Sequence, residues 1–313
     1  MDKPVIFLMG PTASGKTSLA FDLMDKFPVD AISVDSALIY RGMDVGTAKP
    51  YRETLKRYPH ALIDICEPDE VYSAARFRED ALSLIAASHN QNRIPLFVGG
   101  TMLYFRALEY GLSDLPESDP LIKAKLESKI KAEGSAALHA RLKEVDPASA
   151  EHIHPNDPQR IIRALEVFEL SGKPMSEWWV KQEKHSLPNP IHKYALLPDR
   201  AVLHERIAQR FEEMLNKGLI EEVSHLKERG INPETPAMRS VGYRQVLQYL
   251  AGEFDRETMR HKGIVATRRL AKRQITWLRS EKNLVIVDPA EQNQLENLVC
   301  SIAALCNTDL SKE

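Results

Sequence analysis

The residues that most constrain this chain are Gly10, Pro11, Thr12, Ala13, Ser14, Gly15, Lys16 and Thr17, a complete G-x4-G-K-T. An apolar run at 5–9 precedes them, and a helical pattern through Leu19, Phe21, Leu23 and Met24 follows. Strand, glycine-rich loop and helix in that order let backbone N–H groups close around phosphate oxygens, while the helix N-terminus adds its positive dipole end. In such a loop Lys16 neutralises phosphate charge and the Thr17 hydroxyl holds Mg²⁺.

The rest of the first hundred residues fits that beginning. Short, largely apolar runs at 31–34, 61–65 and 95–98 alternate with helical stretches, the pattern of a parallel α/β sheet covered on both faces. Two further strand-like runs lie at 194–197 and 284–287. Between them the pattern changes. Asp119-Pro120, Asp146-Pro147 and Asp157-Pro158 each place a capping acid before a proline suited to a first helical turn. The first of these helices should end near Gly134 and the third at Gly172. The expectation is a P-loop core from 1–112 and 191–313, with a helical C-terminal region, interrupted by an all-helical domain at 113–190. A length of 313 residues suits about two domains.

Composition adds exclusions. With 43% apolar and 27% charged residues the chain is neither disordered nor collagen-like. No apolar run approaches the ~20 residues that span a bilayer. Three cysteines are too few for a disulfide framework or a four-cysteine zinc site, so a cytoplasmic setting is expected. The net charge is only −2, but residues 256–282 hold nine Lys/Arg against Glu257 and Glu281, a surplus of +7 that leaves −9 elsewhere. Such asymmetry reads as a polyanion footprint or as a solvated helix face paired with distant acids.

The sequences Asp-x-x-Gly and Asn-Lys-x-Asp of a GTPase are missing. A kinase and a group transferase with a diphosphate leaving group both remain open. In a parallel sheet, Asp35 after the second strand and Thr101 after Gly99-Gly100 share the rim with the phosphate loop. Asp35 reads as a catalytic carboxylate, an N-cap or a Mg²⁺-shell ligand.

Several stretches in order and spacing resemble the bacterial-type tRNA dimethylallyltransferase family. They are the phosphate loop, Asp35-Ser36-x-x-Ile39-Tyr40, Gly46-Thr47-Ala48-Lys49-Pro50, Gly99-Gly100-Thr101, the stretch 156–167, Ser240-Val241-Gly242-Tyr243-Arg244-Gln245, and 272–279. The resemblance covers nearly the whole chain. It implies Mg²⁺-dependent transfer of a dimethylallyl group from dimethylallyl diphosphate to N6 of adenosine 37, beside the anticodon of tRNAs that read codons beginning with U. It further implies Asp35 as general base, Thr101 beside the reacting groups, and Lys16 and Arg210 at the diphosphate. Arg210 falls in a helical pattern with Leu203, Ile207, Phe211 and Met214 on its buried side. A surface ion pair is the other reading of that arginine.

By the same resemblance, tRNA contact falls to Asp35, Ser36, Ala37, Leu38, Thr101, Lys123, Gln159, Arg160, Ile161, Ile162 and Arg163. It falls also to Ser240, Val241, Gly242, Tyr243, Arg244 and Gln245, and to Arg273, Gln274, Ile275, Thr276, Trp277, Leu278, Arg279 and Ser280. Ile161, Ile162, Ile275 and Leu278 read better as core. Leu38 departs from the family's pattern, since many relatives carry glutamine there, so its contact with a base should be apolar or through its backbone.

The remaining features read as structural. Trp178-Trp179 suits an anchor at a helix end, His139, His152 and His154 suit capping or solvated positions, and the cysteines suit buried sites. Nothing demands more than a monomer. The competing functions are transfer to AMP or ATP, a small-molecule kinase, and an RNA-binding module with an idle phosphate loop. The basic segment argues against the first, and intact Lys16, Thr17 and Asp35 against the last.

Overall fold

The computed structural model describes residues 3–113, 115–179 and 186–310. In chain order it contains β1 (Val5–Met9), α1 (Lys16–Lys26), β2 (Val29–Val34), α2 (Arg52–Arg57), β3 (His60–Ala61), α3 (Ala74–Asn90), β4 (Ile94–Gly99) and α4 (Met102–Tyr110). There follow α5 (Pro120–Glu133), α6 (Ser135–Val145), α7 (Pro147–His152), α8 (Pro158–Ser171) and α9 (Met175–Trp179). The last elements are β5 (Ile191–Leu196), α10 (Arg200–Asn216), α11 (Leu219–Glu228), α12 (Tyr243–Leu250), α13 (Arg256–Ser280), β6 (Leu284–Val287) and α14 (Gln292–Leu310).

The strands form one six-stranded sheet in the order β3-β2-β4-β1-β5-β6, every neighbour parallel. The fold is therefore the expected α/β class. Its central strands are apolar on both sides because both faces are covered. Ile6 and Leu8 point into a cluster with Leu19 and Leu23 of α1 and Leu298 and Ile302 of α14. Phe7 faces the other way, packing against Phe97 and Phe105, and Phe97 also meets Phe77 of α3. Each such fully buried side chain contributes about 1.5–3 kcal/mol of hydrophobic stabilisation.

One predicted strand shrinks. The apolar run 61–65 gives only the second residue of β3, because Leu62 and Asp64 adopt φ of 63° and 55°. The chain turns there, and Asp64 N–H and Ile65 N–H donate to the carbonyls of Leu38 and Ile39. This turn carries Asp64 to the Lys49 ammonium, 2.5 Å away.

Two compact units result, Met1–Leu108 with Pro188–Glu313, and Glu109–Leu187. The second holds α5 to α9, and no strand occurs among its described residues. Asp119, Asp146 and Asp157 accept from backbone N–H groups in the first turns of α5, α7 and α8, each with proline inside the helix start. Such a cap contributes about 1 kcal/mol. Leu126, Leu138, Leu142, Ile161, Ile162 and Leu165 form this unit's core.

Candidate active site at the ends of β1, β2 and β4

Open parallel sheets leave a crevice outside the carboxyl ends of their strands. Here it is a cleft of ≈1770 Å³ lined by the phosphate loop, the segments after β2 and β4, and parts of α10 and α13. The loop leaves β1 and enters α1 through Gly15, whose φ of 95° is a left-handed conformation that side chains rarely adopt. Lys16 Nζ donates to the Pro11 carbonyl at 2.7 Å and to Ser14 Oγ at 3.2 Å. Burial pushes its ammonium down from the usual 10.5 to about 7, with Asp35 opposing the shift and Arg210 adding to it. Thr17 follows in the first turn, exposed to the cleft.

The second wall depends on a close approach. A Cβ on Gly99 would lie 2.0 Å from the Val34 carbonyl oxygen, so only glycine lets β4 end this near β2. That carbonyl accepts from Gly100 N–H and Thr101 N–H at 3.2 and 3.1 Å. Thr101 Oγ1 is thereby set to accept from Ser36 N–H at 3.0 Å. Asp35 Oδ1 accepts from Ala37 N–H at 2.8 Å and Leu38 N–H at 3.3 Å. These contacts close a turn, and no helix begins there, so Asp35 is not the N-cap that the sequence left open. Oδ2 has no such partner among the described residues.

Arg210 lies on α10, lining the cleft, with Leu203, Ile207, Phe211 and Leu215 buried beneath. Leu215 takes the place expected for Met214, which faces the cleft instead. The guanidinium donates through Nη2 to the Thr47 carbonyl at 3.0 Å. Burial pushes it down from its usual value while Asp35 pulls it back up. Among the described residues Arg210 makes no ion pair of the kind a surface reading requires, and its partner is the Thr47 carbonyl.

The cleft is cationic although the chain is not. Lys16, Arg41, Lys49, Arg52, Arg206, Arg210, Lys217, Arg239 and Arg273 line it, against Asp35, Asp44, Asp64 and Glu213. Five of these, Arg41, Arg52, Arg206, Lys217 and Arg239, were not legible as site residues, because each sits outside the recognisable motifs. Leu38, Ser240, Val241 and Trp277 also line the cleft, and the Arg106 guanidinium lies 5.3 Å from the Trp277 ring centroid.

Along α13, Arg269, Lys272, Arg273, Thr276, Arg279 and Ser280 are exposed. Spacings of three and four place Arg269, Lys272, Arg273 and Thr276 on one face. Not all of the +7 segment is available: Arg260 pairs with Glu212, and Arg268 donates to the His204 carbonyl at 3.3 Å.

Several residues expected at a tRNA surface belong to the interior. Ile161, Ile162 and Leu278 are buried, and Ile275 is half-buried. Tyr243 is buried with its hydroxyl donating to Glu222 at 2.6 Å, and buried Gln245 accepts from Gly242 N–H at the start of α12. Gln274 is the most informative case. Its Oε1 accepts from Thr12 N–H at 2.9 Å and its Nε2 donates to the Gly100 carbonyl at 2.8 Å, fastening the phosphate loop to the loop after β4.

In the helical unit Lys123, Gln159 and Arg160 are exposed, Arg160 beside Asp157 at 3.4 Å. Arg163 is engaged internally, donating to Glu166 at 2.7 Å and to the Pro116 carbonyl at 2.6 Å. His139, His152 and His154 bond to nearby backbone. Cys66 and Cys306 are buried, whereas Cys300 is exposed on α14, because it falls on the outer face of that helix. The side chain of Trp179 lies outside the described residues. No helix among the described residues is long and apolar enough to cross a membrane.

Fold and cleft together define a P-loop α/β protein whose phosphate loop opens, beside a carboxylate, into a cationic cleft. A family model described as IPP transferase matches residues 38–281. The chain is 58% identical over 290 residues to a tRNA dimethylallyltransferase of Thioalkalivibrio sulfidiphilus, covering 92% of this chain and 91% of the relative. It is 58% identical over 283 residues to one from Alkalilimnicola ehrlichii, covering 90% and 89%. Among solved structures, a tRNA isopentenylpyrophosphate transferase from Bacillus halodurans aligns with TM-score 0.72 at 34% identity, over 99% of this chain and 98% of that one. A eukaryotic dimethylallyltransferase described as acting on tRNA aligns with TM-score 0.78 at 26% identity, over 97% and 78%. This chain belongs to the IPP transferase family.

Proposed function

We propose that this protein transfers a dimethylallyl group from dimethylallyl diphosphate to N6 of adenosine 37 in tRNAs reading codons that begin with U. The products are N6-isopentenyladenosine and diphosphate. The observation that carries this reading is that Lys16, Arg210 and Asp35 line one cleft, in a chain of this family.

The chemistry follows from the charges. The allylic C–O bond of the donor breaks and its electron pair leaves with diphosphate, so the transition state gathers negative charge at the phosphate loop. Backbone N–H groups, Lys16 and Arg210 are fixed there before the reaction, which is where preorganised donors lower a barrier most. The N6 lone pair is delocalised into adenine, making a weak nucleophile. As the N6–C bond forms, N6 becomes positive and its proton acidic enough for a carboxylate to take. Asp35 Oδ2 is the acceptor we assign, with Oδ1 tied to Ala37 and Leu38 so that the carboxylate keeps its orientation. Thr101 Oγ1, holding the Ser36 backbone, orients the same turn.

Residues here suit Mg²⁺ in the form that accompanies phosphates. No group of three or more His, Cys, Asp or Glu gathers among the described residues, whereas the exposed Thr17 hydroxyl opens on the cleft. Mg²⁺ bound through one protein oxygen, substrate phosphates and water needs no more than that. It would supply charge neutralisation of the leaving diphosphate.

A target base must leave its stack to reach Asp35, and single-stranded loops are where proteins read RNA bases. The exposed side chains Arg269, Lys272, Arg273, Thr276 and Arg279, with Ser36, Arg244 and Ser280, are the surface we assign to the anticodon stem-loop. Lys123, Gln159 and Arg160 are the corresponding assignments in the helical unit. The test is Asp35→Asn. Transfer should fall by at least about 100-fold, the usual worth of a positioned base, while tRNA affinity stays within a few fold. Near-normal turnover would remove Asp35 from the base role.

A further inference from the structure

The segment between Met43 and Lys49 forms one wall of the cleft and holds no strand or helix. Local turns hold part of it, with Thr47 Oγ1 donating to the Met43 carbonyl at 2.6 Å and Lys49 N–H to the Asp44 carbonyl at 2.9 Å, and the other anchor comes from elsewhere in the chain. Glu222 of α11 receives Asp44 N–H at 2.8 Å and Val45 N–H at 2.7 Å on Oε2, and Gly46 N–H at 3.0 Å on Oε1. The Tyr243 hydroxyl donates to the same Oε1 at 2.6 Å. Four donors thus converge on one carboxylate. Gly46 lies so close to the Tyr243 ring that a Cβ there would fall 2.6 Å from it. The next residue, Thr47, offers the carbonyl that receives Arg210 Nη2 at 3.0 Å.

We infer that Glu222 and Tyr243 are positioning residues for Arg210, acting through the 44–47 backbone. Neither side chain needs to touch the substrate. Glu222 fixes three successive N–H groups, these fix the direction of the Thr47 carbonyl, and that carbonyl fixes which edge of the guanidinium remains for an anion. A guanidinium free to rotate would still carry its charge but would lose the directed fork that suits phosphate oxygens. Burial and the Glu222 charge both push the Tyr243 phenol up, so it stays a hydroxyl donor across the working range. This inference rests on Arg210 facing the diphosphate, as proposed above.

Inorganic pyrophosphate binding tests it without requiring turnover. Glu222→Gln replaces one acceptor oxygen by a donor and cannot satisfy all four groups. It should weaken pyrophosphate by about tenfold, roughly the effect of one charge-assisted hydrogen bond. Tyr243→Phe, which keeps the ring against Gly46, should weaken it by a few fold and carries the same test should the first variant not fold. In an Arg210→Ala background both substitutions should change affinity less than about twofold, since their route is gone. Equal losses with and without Arg210 would show a general structural role and overturn the inference, as would unchanged affinity in the single variants. Arg210→Ala that leaves pyrophosphate binding intact would instead remove the underlying assignment of Arg210.

Discussion

Lys16 gives the site a pH signature that can be worked out in advance. Burial pushes its ammonium down from 10.5 to about 7. Diphosphate supplies several negative charges and should return it to the ordinary lysine range. At about pH 8 the free site is then ~90% neutral at this residue and the bound site fully charged, so binding takes up about 0.9 of a proton. At about pH 6 the uptake should fall to ~0.1. The sign is fixed by linkage. Because the complex holds the extra proton, affinity falls as pH rises above 7, approaching tenfold per pH unit, and is flat with respect to this group below it. Calorimetric titration with pyrophosphate in two buffers of different ionisation enthalpy reads the uptake directly. Pyrophosphate has its own protons, so the quantity is the difference between wild type and Lys16→Met at equal saturation. A difference near zero at pH 8 would refute the reasoning, and so would one of equal size at both pH values.

The other predictions rest on single contacts. Gln274→Leu deletes the two hydrogen bonds that tie Thr12 to Gly100, so pyrophosphate affinity should fall by about tenfold with the fold retained; unchanged affinity would make the bridge incidental. Replacing Arg269, Lys272 and Arg273 by glutamine should reduce the slope of log affinity for tRNA against log salt by about 2–3, and an unaltered slope would move the RNA surface elsewhere. Gly99→Ala places a methyl group 2.0 Å from the Val34 oxygen and should cost at least about 3 kcal/mol in urea unfolding, whereas a neutral effect would mean that the two strand ends separate freely.

What the sequence discloses and what it hides follow from the range of the interactions. The phosphate loop, the Asp-Pro helix starts and the central strands are local, each settled by a few neighbouring residues, and β1 and β6 fall on the residues that their apolar runs predict. β3 is misread because an apolar run does not reveal positive φ at Leu62 and Asp64. The walls of the cleft are harder still. Glu222 meets the 44–46 loop from 176 to 178 residues away, and Gln274 meets Thr12 from 262. In sequence Glu222 is only an acid in the first turn of α11, where helix dipoles favour one, so nothing distinguishes it from Glu221. Gln274 sits within a basic stretch and reads as part of that surface until the fold turns it inward. Burial separates Arg268 and Arg163 from the exposed arginines beside them for the same reason.

The most direct test of the account is label transfer. Labelled dimethylallyl diphosphate and Mg²⁺ are incubated with the protein and unmodified tRNA, and in parallel with AMP and ATP. Label is expected in tRNA alone, and lost when adenosine 37 is replaced by another base. Label in the mononucleotides, or turnover of ATP with no label in tRNA, would contradict it.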